Sequence, residues 1–102
     1  MLEIPKGDYG FYINFTVYDN DDDVYDLTDY TLKLKVWTTT YPATLVVNGS
    51  VSAVSATSGT CRYLVADGDF DTPGIYRGEL ELTKASVVES TKYIDIEVTE
   101  SG

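Results

Sequence analysis

Apolar and polar residues alternate along most of this chain. Phe11, Ile13, Phe15 and Val17 are interleaved with Tyr12, Asn14, Thr16 and Tyr18, the period of a strand with one buried face. Leu32, Leu34 and Val36 alternate with Lys33, Lys35 and Trp37 in a second such segment. Leu45-Val46-Val47 and Val51 to Val54 flank Asn48-Gly49. That dipeptide predicts a hairpin, because both central positions of a type I′ turn need positive φ. Cys61 to Val65 forms a fifth segment. Tyr76, Gly78, Leu80 and Leu82 alternate with Ile75, Arg77, Glu79 and Glu81, and Lys92, Ile94, Ile96 and Val98 with Tyr93, Asp95, Glu97 and Thr99. Between segments stand Asn20 to Asp23, Tyr41-Pro42, Ser58-Gly59, Asp67-Gly68, Pro73-Gly74 and Lys84 to Ser86, all turn chemistry. No stretch carries a helical apolar stripe. The pattern predicts an all-β fold, an immunoglobulin-like antiparallel β-sandwich of about seven strands, with a small barrel as the alternative. Residues 1–102 read as one domain with its core at about 10–99.

Composition narrows what such a fold can do. Hydrophobic residues make up 43% of the chain and nine are tyrosines, too much for a disordered acidic segment. Cys61 is the only cysteine, so no internal disulfide is expected. The chain has no histidine, which removes histidine bases, His-based triads and the usual Cys/His zinc sites. Seventeen acidic residues against seven basic ones give a net charge of −10, so nucleic-acid binding is not expected. No apolar run approaches the length of a membrane helix, so membrane insertion is not expected either. The opening Met1 to Lys6 lacks the basic and apolar regions of an export signal.

One segment is sharper than the rest. Asp71, Gly74 and Tyr76 form an Asp-x-x-Gly-x-Tyr corner, the spacing at which a tyrosine hydroxyl bonds back to the corner backbone in immunoglobulin-like sandwiches. The cysteine of disulfide-bonded members would follow two residues later, where Gly78 stands. The wider order is Asp26-Leu27-Thr28 before the 31–36 strand, Asn48-Gly49-Ser50-Val51, Gly59 to Tyr63, Asp71 to Leu82, and Tyr93 to Val98. In that order and spacing the chain resembles the N-terminal immunoglobulin-like domain of phage baseplate upper proteins and related small phage structural proteins. The resemblance spans residues 10–99. It departs at Asp29, where the family often has glycine, and at Asp19 to Asp23, where its loop is shorter.

The resemblance implies a virion structural protein, a tail- or baseplate-type assembly or attachment module acting by protein–protein contact. It implies no catalytic residues and no cofactor, other virion proteins as partners, self-association, and assembly in the host cytoplasm. The alternative is a surface adhesion or carbohydrate-binding module.

Three groups of residues are candidates for contact or ligand binding. If strands alternate, the loops at 19–29, 48–49 and 67–73 share one pole, which makes Asp19, Asp21, Asp23, Asp67, Asp69 and Asp71 the calcium candidates. The EF-hand pattern fails, with Val24 at the glycine position and Tyr30 at the bidentate glutamate. The plainer reading is solvated, turn-forming carboxylates and no metal. Tyr12, Tyr18, Trp37 and Tyr93 fall on the outward parity of their strands and are the interface candidates. Cys61 has no histidine to activate it and reads as core. Glu79 and Glu81 share a face with no evident pocket, and the sequons at Asn14 and Asn48 read as chance.

Overall fold

In β3 (Thr31–Thr38) the alternation resolves as the sequence implies, with Leu32, Leu34 and Val36 buried and Lys33 turned out. The structure is a computed structural model and describes residues 2–19, 21–91 and 93–100. The other strands are β1 (Leu2–Pro5), β2 (Tyr12–Thr16), β4 (Leu45–Ser55), β5 (Thr60–Leu64), β6 (Gly74–Lys84), β7 (Val87–Ser90) and β8 (Ile94–Thr99). They lie in the order β1-β8-β6-β3-β4-β5-β2, with β7 beside β6. The ribbon folds on itself at β4. Residues 45–51 pair with β3 in one sheet, and residues 52–55 pair with β5 in the other. The two inner faces enclose one apolar core, with Ile4, Leu27, Leu34, Leu80, Ile96 and Phe70 fully buried. The protein is therefore all-β and sandwich-like, without a disulfide, as expected.

Four details differ from the expectation. Among the described residues eight strands form rather than seven: β1 and β7, too short to show a period, are added, and the two segments expected on either side of Asn48-Gly49 are one strand, β4. The pairing is not wholly antiparallel, since β1 runs parallel to β8. Asn48-Gly49 is not a turn but the middle of β4, paired with Lys35 and Leu34. A methyl group on Gly49 would stand 2.5 Å from Cε1 of Tyr63. Glycine is there to let that ring lie against the strand, not to reverse the chain.

The fourth difference follows from the third. With one fewer turn, every later strand runs opposite to the sense the sequence suggests. Loop 17–30 now meets residues 56–59, through the Leu27 N–H to Ala56 C=O and Val17 N–H to Gly59 C=O bonds. Loop 65–73 meets residues 5–11 at the other end, through Gly7 N–H to Phe70 C=O and Gly10 N–H to Val65 C=O. The two acidic clusters occupy opposite poles. At the first pole the approach is close enough to require Gly59, whose φ is 72° and whose added Cβ would meet the Val17 and Tyr25 carbonyls at 2.8 Å.

Candidate functional site

Each acidic candidate is placed by its own loop. Asp19 accepts the Asp21 and Asp23 N–H groups on one carboxylate oxygen, closing an Asx-type turn. Asp69 accepts the Tyr63 hydroxyl and the Ala66 N–H on one oxygen. Asp67 and Asp71 are exposed. Among the described residues no three carboxylate or thiolate groups converge on one point. Asp26 accepts both the N–H and the hydroxyl of Thr28, and these bonds hold its carboxyl below the usual range. At the corner, Tyr76 is buried and donates its hydroxyl to the Thr72 carbonyl at 2.6 Å.

The interface candidates separate. Tyr12 projects from the outer face of the second sheet, with the Arg62 guanidinium 3.9 Å over its ring. Trp37 is half-buried on β3, in the opposite sheet. Tyr18 and Tyr93 are brought together: both line one cleft of about 790 Å3. Exposures of 45, 57 and 62% leave Tyr12, Tyr18 and Tyr93 available for contact. Arg77 stands 5.2 Å from the Tyr93 ring.

The cleft lies between β2 with its outgoing loop and the junction where β7 passes into β8. Leu80, Leu82, Phe15 and Ile94 supply its apolar lining, and Asp19, Asp22 and Glu89 are its carboxylates. A hydrogen-bonded cluster that the sequence does not announce sits at the same pole. Tyr25 donates its hydroxyl to Glu89 at 2.6 Å and lies 2.9 Å from the Tyr30 hydroxyl. The two rings meet edge to face, and the Lys84 ammonium stands 5.2 Å from the Tyr30 ring. These residues come from one loop and two strands far apart in the chain, so no local spacing could have found the cluster. Cys61 is buried, and burial pushes its thiol up to about 11. Glu81 is ion-paired with Lys35 at 2.8 Å. The described side chains form no nucleophile–base pair.

Comparison with curated proteins finds no match. The sequence family described as the BppU N-terminal domain matches residues 6–102, nearly the whole chain. A sandwich with its tyrosine corner, its open cleft and this match agree: the chain belongs to the family of N-terminal domains of phage baseplate upper proteins, structural components of the phage baseplate.

Proposed function

We propose that this chain is an assembly or attachment module that joins baseplate or tail components by protein–protein contact, without catalysis. It acts as one immunoglobulin-like unit over residues 1–102, self-associates, and enters the virion in the host cytoplasm. Neither nucleic acid nor membrane insertion has a part in this role. The observation that carries the reading is the pair of exposed rings, Tyr18 and Tyr93, at one open cleft. Rings of this kind bury large areas at small entropic cost when a partner covers them. The absence of histidine and the buried, protonated Cys61 fit work done by contact.

The test is composition of purified virions. The chain is expected among their proteins, and antibodies to it should label the baseplate end of the tail. Its absence from virions overturns the reading. Light scattering on the purified protein tests self-association, and a strict monomer at high concentration removes that part.

A further inference from the structure

We propose that the cleft beside β2 accepts an extended, lysine- or arginine-bearing segment of another virion protein as an added strand. The proposal rests on the baseplate reading above and names the mode of contact.

Among the described residues β2 is the last strand of its sheet and pairs only with β5. Val17 donates to the Gly59 carbonyl, and Val65 donates to the Phe11 carbonyl. Odd-numbered residues of this stretch therefore face β5. In an antiparallel ladder the alternate residues turn both backbone groups the other way. Tyr12, Asn14 and Thr16 thus direct N–H and C=O outward, and no described strand meets them.

Natural sheets blunt such edges with proline, lysine, a bulge or a short strand. The opposite terminal strand, β1, is blunted in this way: it has four residues, ends in Pro5 and is followed by Lys6. β2 has the sequence YINFT, with no proline or lysine, and its register with β5 is unbroken. β7, a third edge beside β6, is only four residues long, so β2 is the longest edge strand left able to pair.

The open edge also has somewhere to put side chains. The cleft alongside it offers apolar surface from the half-buried Phe15 and Ile94, over the buried Leu80 and Leu82 at its floor. Across it stand Thr91 and Tyr93, which lie outside both β7 and β8. An added strand would point alternate residues at that apolar surface. Charge selects the others. Asp19, Asp22 and Glu89 line the cleft, and no lysine or arginine does among the described residues. An acidic cleft on a chain of net charge −10 favours a basic segment.

The probe is a peptide of about eight residues that alternates valine with lysine, beside its valine–glutamate counterpart. Binding to the isotope-labelled chain is followed by amide hydrogen exchange. The lysine peptide is expected to protect Tyr12, Asn14 and Thr16, to bind more weakly as salt rises, and to outbind the glutamate peptide. Thr16→Pro removes one outward N–H and no charge, and proline is tolerated on a strand's solvent edge. It is expected to weaken binding about tenfold or more. Asp22→Asn with Glu89→Gln should weaken it without touching the ladder, which keeps the test decisive if Thr16→Pro misfolds. Protection elsewhere, equal binding of both peptides, or a folded Thr16→Pro chain that binds like the wild type overturns the proposal. If the chain is present in virions while its edge takes no peptide, the edge fails and the baseplate reading stands. If it is absent from virions, both fail.

Discussion

Ala85 is the first of two residues turning β6 into β7, and its φ is 45°. Left-handed backbone crowds an L side chain against the carbonyl, and a type II′ hairpin turn prefers glycine at this place. Ala85→Gly is expected to raise stability by about 1 kcal/mol, seen as a rise in Tm of several degrees. A fall in Tm would show that the alanine is not strained. Asp29 has the same backbone sense, with φ 67°, in a turn closed by the Tyr30 N–H to Leu27 C=O bond. The glycine that the resemblance implies at this place fits that dihedral, which glycine adopts without crowding. The Tyr76 hydroxyl bond is equally local, since donor and acceptor lie four residues apart. By contrast, Tyr25 and Glu89 are 64 residues apart, and nothing near either one announces the other.

Strands whose apolar face packs on the core were legible, because burial and period 2 coincide in β3, β6 and β8. β4 was not. Asn-Gly is a strong local turn signal, and here a tertiary contact overrides it. The Tyr63 ring is held by its hydroxyl on Asp69 while its edge rests on Gly49. Gly49→Ala is therefore expected to cost about 1–3 kcal/mol, read from urea unfolding. The cost should shrink in a Tyr63→Val background, where the ring is gone, and an equal cost in both backgrounds would refute this account. Misreading this one element also misplaces the loops, since each added reversal exchanges the poles.

At the scale of the whole molecule, the lack of histidine leaves no side chain with an ordinary pKa near neutrality. The groups that matter lie in alkali. Burial raises the Cys61 thiol from 9.0 to about 11. Burial and the Asp69 carboxylate raise Tyr63, and hydrogen bonds to Glu89 and Tyr30 raise Tyr25. Each raised group keeps a proton in the folded chain that the unfolded chain releases. Their contribution is complete below the unfolded pKa and is lost as pH climbs through the folded one. Stability should hold level through neutrality and fall from about pH 9 to 11, by up to about 3 kcal/mol from Cys61. Cys61→Ala, less stable overall, should lose that part of the slope in urea titrations across the pH range. An unchanged slope would assign it elsewhere. Opposite placement of the acidic loops also changes the field: both ends repel anions, and the molecule does not present one acidic end. The parallel pairing of β1 with β8 has a mechanical consequence. Leu2 lies beside Ile96 and Pro5 beside Thr99, so tension drawn between Leu2 and Thr99 pulls the two strands past each other lengthwise. Every bond of that ladder is then loaded in shear at once, instead of being peeled open singly, a geometry suited to a part that must hold under force.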